Sequence, residues 1–380
     1  MRRYKTYING EWFEGTSGIV LRSVDPSNNQ ELGEIVQNSK EDVEYAIESA
    51  SRSFYKTREW RDLDVQQRSD KLLKIADMIE SEIDEIAKTE SMDNGKPLRE
   101  AQADVDDAVH CFRYYAGLIR TPSGQTYNVN SNFGNMHSYT LKEPVGVCAL
   151  ITPWNFPFLM SVWKIAPALA AGNSIIFKPS SETVLSALKL FEILDKCDLP
   201  KGTANLVIGS GSTVGNLLAE SKKVDMITFT GSTSVGQGIM RAAVGNVKKI
   251  GLELGGKSPN IVFADTDIDK TVEWVMMGIF LNQGEVCCAG SRLIIEKSIK
   301  DKFLKKLVER TDKLTLGAPL DNPDMGPLIS KKHMQDVLGY IEKGKAEGAK
   351  LLCGGYKCTD DDLVNGNFIK PAIFDDCTPD

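Results

Sequence analysis

From Val145 to Leu254 the sequence alternates between short apolar runs and segments of helical periodicity, and few folds accommodate that rhythm. VGVCALI, SIIF, ANLVI, MITF and VKKIGLEL are all of strand length. Between them lie the helical stretches around WKIAPALAA and TVLSALKLFEIL and two further helices. Strands covered on both faces read as near-continuous apolar runs, so the pattern predicts a parallel sheet with helices packed on either side. Sheets of this kind bind ligands beyond the carboxyl ends of their strands, which directs attention to the loop after each run.

A second alternation follows: PNIVF, a helix through Val272 to Phe280, RLIIE, and a helix from Lys302 to Leu314. The ELGGK turn between the two series marks a domain junction, in keeping with a chain of 380 residues. Upstream, Val43, Ala46, Ile47, Ala50 and Phe54 form a core-facing helical stripe after Ser39. Leu72, Ala76, Ile79, Ile83 and Ile86 repeat it. Residues 121–141, TPSGQTYNVNSNFGNMHSYTL, are rich in Ser, Asn and Gly and read as an excursion from the compact body.

Several function classes are disfavoured at this level. The formal charge is −7, and no run of Lys and Arg interleaved with aromatics supplies the footprint of a nucleic-acid partner. Apolar stretches are interrupted within a dozen residues by Pro, Asn or Lys, too soon to span a bilayer, and MRRYKTYINGEWFEG lacks the apolar centre of an export signal. Eight cysteines without a CxxC pair suggest reduced thiols and a cytoplasmic location.

Such thiols include Cys287 and Cys288 in FLNQGEVCCAGSR. Each is open to two readings, a small buried hydrophobe or a nucleophile. A turn-like setting near backbone N–H groups would let a thiol ionise below the ordinary value of about 8.5. None of His110, His137 and His333 lies in a motif-like setting, which leaves Glu253 in GLELGGK as the candidate base, with burial expected to raise its pKa. Asn155, held between prolines in ITPWNFP, is either a turn former or a donor to a developing oxyanion. GSGSTVG and FTGSTSVG follow strands and open helices, the setting in which backbone N–H groups suit a phosphate.

Taken together and in this order, ITPWNFP, KPSSET, FTGSTSVG, LELGGKSPN and FLNQGEVCCAGSR resemble the NAD(P)-dependent aldehyde dehydrogenase superfamily over essentially the whole chain, with a betaine-aldehyde-dehydrogenase-like branch open. The resemblance implies an α/β fold, with a Rossmann-like parallel-sheet cofactor domain (1–121 and 142–255), an extended oligomerisation arm (122–141) and an α/β catalytic domain (256–380). It makes Cys287 the nucleophile, with Glu253, 34 positions upstream, the base and Asn155 the oxyanion donor. Lys178, Gly231 and Ser232 would contact the dinucleotide, with Trp154, Ser181, Gly211, Gly215, Phe229, Val235 and Leu254 lining the same site. Phe156, Leu159, Met160, Trp163 and Leu281 would wall an apolar substrate tunnel, with Asp107 nearby. A small-molecule aldehyde, NAD (or NADP) and a homodimer or homotetramer complete the implied picture, with no metal.

Three departures from the family pattern shape further expectations. Ser181 stands where NAD-preferring relatives carry a ribose-binding glutamate, which leaves NADP open because repulsion toward a 2′-phosphate is lost. Glu285 replaces the usual glutamine, and it is expected to face solvent or a cation. The sequence ends before the E-x-F-G-P segment, so part of the cofactor site, much of the tunnel wall and one oligomerisation strand are expected to be missing and the chain to be weakly active or inactive. A catalytically impaired structural protein is therefore a competing reading, a CoA-dependent thioester former is a third, and betaine aldehyde or an aminoaldehyde is an alternative substrate.

Overall fold

A computed structural model describes residues 2–121, 123–360 and 362–378. Along the chain come β1 (Arg3–Tyr4), β2 (Thr6–Ile8), β3 (Glu11–Phe13), β4 (Val20–Asp25) and β5 (Gln30–Val36), then α1 (Lys40–Arg52), α2 (Val65–Ser81), α3 (Ile83–Asn94) and α4 (Leu98–Leu118). A hairpin of β6 (Thr126–Ser131) and β7 (Gly134–Tyr139) leads into β8 (Val147–Ile151), α5 (Pro157–Ala170), β9 (Ser174–Lys178), α6 (Leu185–Lys196) and β10 (Ala204–Leu206). Next are α7 (Asn216–Glu220), β11 (Met226–Gly231), α8 (Thr233–Ala243), β12 (Lys249–Leu254), β13 (Pro259–Val262) and α9 (Ile268–Phe280). The remainder is β14 (Arg292–Ile295), α10 (Lys300–Thr311), α11 (Lys331–Ala346), β15 (Lys350–Cys353) and β16 (Ile373–Asp375).

The main sheet has the order β12-β11-β8-β9-β10-β2-β3. Its first five strands are parallel, as the alternation predicts, and β2 and β3 extend it antiparallel. Side chains on successive residues of β8 point to opposite faces. Cys148 and Leu150 join the core built with α2–α6, while Val147, Ala149 and Ile151 join the one built with α1, α7 and α8. Both faces are therefore dry. A third cluster, containing Val262, Val272, Val275, Met276, Phe303 and Leu307, packs α9 and α10 against β13 and β14.

Local chemistry accounts for the helix ends. Ser39 caps α1, its hydroxyl accepting from Asp42 N while Asp42 accepts from Ser39 N; such a cap is typically worth about 1 kcal/mol. The stripe from Leu72 to Ile86 belongs to two helices rather than one, because Glu82 (φ −112°, ψ 15°) separates α2 from α3. Nearly every residue of the β6–β7 hairpin is exposed, including Phe133 at its tip. No helix among the described residues is long and apolar enough to cross a membrane.

Candidate active site

The carboxyl ends of β8, β11 and β12 converge with the loop after α9. Strand β8 ends at Ile151, and the loop to Pro157 is held from two sides. Asn94, at the buried end of α3, donates Nδ2 to the Trp154 carbonyl at 2.9 Å. Asn282 donates Nδ2 to the Asn155 carbonyl at 2.7 Å. The Asn155 side chain then donates its own Nδ2 to the Glu285 carbonyl at 2.7 Å. The loops carrying Asn155 and Cys287 are thus joined directly.

The approach to the thiol is an unusual piece of backbone. Asn282 (φ 47°), Gln283 (φ 56°) and Gly284 (φ 80°) all lie in the left-handed region, which is costly for Gln and persists only where surroundings enforce it. Glu100 on α4 supplies part of that enforcement, its Oε2 accepting from Asn282 N at 2.8 Å. Cys287 follows, tied through its carbonyl to Gly256 N at 3.1 Å. Gly256 lies three residues beyond Glu253, so base and thiol candidates share one edge of the fold.

Three expectations are corrected here. Glu253, at the end of β12 and in register with Thr230, is exposed rather than buried. Cys287 and Cys288 are both exposed, but protein packed around the Cys287 thiol, with the adjacent Cys288 as a smaller cause, pushes its pKa up rather than down. Glu285 does not face solvent. Its carboxyl is buried, and desolvation pushes it up to about 8. Among the described residues no full cation pairs with it: His333 Nε2, 3.6 Å away, is itself pushed down by burial.

The two glycine-bearing turns, GSGSTVG and FTGSTSVG, also follow strands of the main sheet. Ser232 caps α8, its Oγ accepting from Val235 N at 3.4 Å. A side chain at Gly231 would place its Cβ 2.4 Å from the buried Phe229 ring, so only glycine fits between that ring and the turn. Leu254 backs α8 in the same way: a Cβ on Gly236 would approach it to 2.9 Å. Gly211 faces open space, whereas Gly215 lies over the Lys178 side chain. The Lys178 ammonium donates to the Pro179 carbonyl at 2.9 Å, and burial pushes its pKa down to about 8. Ser181 is half-buried and Glu182 exposed. The hydroxyls of Thr152 and Thr230, at the ends of β8 and β11, are buried and have no partner among the described residues. Unpaired polar atoms on a glycine-lined edge fit a polar ligand such as a dinucleotide.

The residues named for the tunnel are placed less uniformly. Phe156 is half-buried, with Lys96 Nζ 4.1 Å from its ring centroid, and Lys96 is itself paired with Asp104 at 2.5 Å. Trp163 is 53% exposed and Leu281 39%, so both have surface to offer a ligand. Met160 is half-buried, and Leu159 packs in the main core. Asp107 is exposed on α4, and no hydrogen bond or ion pair among the described residues links it to the thiol loop. Sequence reasoning missed Asn94, Glu100, Asn282, His333 and Lys164. Lys164 donates to Thr228 Oγ1 at 2.7 Å, and burial pushes its pKa down to about 8 against a smaller opposing pull from Glu253. Only Asn282, two residues before Gly284 in the thiol motif, carried a usable signal.

This edge sets the exposed Cys287 thiol beside glycine-bearing turns and unpartnered hydroxyls. Residues 12–380 match the aldehyde dehydrogenase family. The chain belongs to that family. It is 45% identical over 375 residues to betaine aldehyde dehydrogenase of Bacillus subtilis (strain 168), covering 98% of this chain and 76% of that protein. It is 43% identical to the peroxisomal aminoaldehyde dehydrogenase 1 of Pisum sativum, covering 98% and 74%. A crystal structure of betaine aldehyde dehydrogenase from Staphylococcus aureus with NAD+ superposes with a TM-score of 0.95 at 40% identity, covering 98% of this chain and 74% of that one.

Proposed function

We propose that the chain oxidises an aldehyde to a carboxylate through a covalent intermediate on Cys287, with NAD+ as cofactor. The observation carrying this reading is the Asn155 Nδ2 to Glu285 carbonyl bond, which fixes the side-chain amide beside the thiol loop. Glu253 takes the thiol proton, because the raised pKa of the Cys287 thiol keeps it protonated at neutral pH. Sulfur adds to the aldehyde carbon, and the new oxyanion is met by the Asn155 amide and the Cys287 N–H, a type of contact worth about 3 kcal/mol in related chemistry. Bound nicotinamide supplies the hydride acceptor. After passing the first proton to solvent, Glu253 removes a proton from the water that hydrolyses the thioester and returns it to the departing thiolate, and the acid product ionises to the carboxylate. Gly231, Ser232, Phe229, Val235 and Leu254 would hold the dinucleotide on one side, and Gly211, Gly215, Lys178, Ser181 and Trp154 on the other.

The division into residues 1–121 with 142–255, an arm at 122–141 and a catalytic unit from 256 belongs to the same reading, and the separate core cluster of α9 and α10 supports it. An oligomer formed through the exposed hairpin and a cytoplasmic location are likewise proposed. For the substrate, the half-buried Phe156 and exposed Trp163 favour an apolar or aromatic aldehyde. Aromatic faces also attract cations, and relatives named for betaine aldehyde and aminoaldehydes make a cationic aldehyde the second reading. Nicotinamide reduction over an aldehyde panel separates them: a preference of roughly tenfold or more in kcat/KM for the cationic members would select the second. No reduction with any member would favour an impaired, structural protein instead.

The ribose end yields its own expected result. Ser181→Glu should lower kcat/KM with NADP+ by about tenfold or more and spare that with NAD+, since a carboxylate repels only the 2′-phosphate. Initial rates with the two cofactors test this, and equal losses with both would place Ser181 away from the ribose.

A further inference from the structure

Glu285 has no part in the reaction sequence above, yet more of the site's hydrogen bonds run through it than through any residue named there. Its carbonyl accepts from Asn155 Nδ2 at 2.7 Å and from Asn282 Nδ2 at 3.4 Å. Its backbone N donates to the Asn282 carbonyl at 2.8 Å. Its carboxyl reaches the other way: Oε1 accepts from Ile329 N at 3.1 Å, and Oε2 lies 3.5 Å from Gln283 Nε2. Ile329 immediately precedes Ser330, the residue that caps α11.

A carboxamide NH2 has two hydrogens. With one committed to the Glu285 carbonyl, the direction of the other is set, so the position of that carbonyl decides where the Asn155 donor points. We propose that Glu285 is a positioning residue for aldehyde oxidation, its buried side chain anchoring the thiol loop to the segment before α11 so that Asn155 is aimed at the reacting oxygen. The proposal rests on Cys287 and Asn155 being nucleophile and oxyanion donor. It goes further in assigning the anchor to a side chain rather than to the left-handed backbone before it.

The charge state of the anchor matters. The groups facing it are Ile329 N and His333 from the α11 side, Gln283 from its own loop, and the more distant Lys96, whose ammonium is already engaged by Asp104 and Glu90. None neutralises a carboxylate outright, and desolvation holds the group protonated up to about pH 8. Because the folded-state pKa is raised, the stability this group contributes is complete in acid and is lost as pH rises from about 4.5 to about 8. A glutamine at 285 keeps the acceptor for Ile329 and cannot ionise.

The test compares Glu285→Ala and Glu285→Gln with the native chain and a Cys287→Ala control. Steady-state kinetics at pH 6 to 10 are accompanied by iodoacetamide labelling, with the adduct at position 287 quantified by peptide mass spectrometry in a Cys288→Ala background, a readout that needs no turnover. Glu285→Ala is expected to lower kcat about 10- to 100-fold, with KM for the cofactor changed less than about threefold, and to alter the Cys287 labelling rate severalfold. The native chain is expected to lose kcat above about pH 8; Glu285→Gln should restore both readouts, remove that fall, and melt increasingly above the native chain as pH rises toward 8. Native kcat and labelling in Glu285→Ala would overturn the proposal, as would an unchanged alkaline limb in Glu285→Gln. An active Cys287→Ala chain would instead overturn the site reading beneath it.

Discussion

Cys287→Ala is expected to abolish aldehyde oxidation, with kcat falling by roughly 10⁴-fold or more, while Cys288→Ala keeps activity within about threefold of native. The two thiols are adjacent and both exposed, so reactivity toward a general reagent does not separate them. Geometry does: Cys287 is the residue whose carbonyl is fixed by Gly256 N, on the strand-end segment that carries Glu253. Nicotinamide reduction by each variant, with folding checked by thermal melting, decides the matter. Equal loss in both variants would mean that the pair acts as one unit and that the assignment to position 287 is wrong.

The second large effect is expected at Glu253. Glu253→Gln should lower steady-state turnover about 10²- to 10³-fold, because removing a general base costs on that scale. Its signature lies in the first turnover. A rapid burst of reduced nicotinamide followed by a slow steady state would locate the loss in thioester hydrolysis. A slowed burst would add the proton transfer from Cys287, whose raised pKa makes a base useful there as well. Stopped-flow absorbance resolves the two phases, and turnover at the native rate would remove Glu253 from the mechanism altogether.

The parallel sheet was legible because its strands are covered on both faces, a condition that forces continuous apolar runs such as SIIF and MITF. Helices α9 and α10 were legible for a related reason, since α10 in particular buries one stripe and exposes charge on the other. The first 36 residues were not read as strands, because β1 to β3 have only two or three residues each and show no sustained alternation. Asn9–Gly10 carried the missing signal: both adopt positive φ, the condition of a tight hairpin turn, and they sit between β2 and β3. At the site, residue types in motif order identified Cys287, Glu253 and Asn155 as candidates. Burial was not legible. Whether Glu253 and Glu285 meet water depends on α11 and on the loops from β12 and α9, which are remote in sequence, so the two carboxylates were assigned each other's environments.

The N-terminal hairpin also bears on how the protein is handled. Tyr7 pairs with Leu206, Asn9 N donates to Asn205 Oδ1 at 3.0 Å, and Trp12 Nε1 reaches Asp195 Oδ2 at 2.9 Å. These dozen residues act as a selvedge, stopping the weave of the sheet at β10. Shaving them off would bare a row of unpaired amides and carbonyls ready to knit with neighbouring molecules. Fusion partners spliced into this stretch, or proteases that nick it, therefore threaten solubility well before they touch the chemistry at the opposite edge.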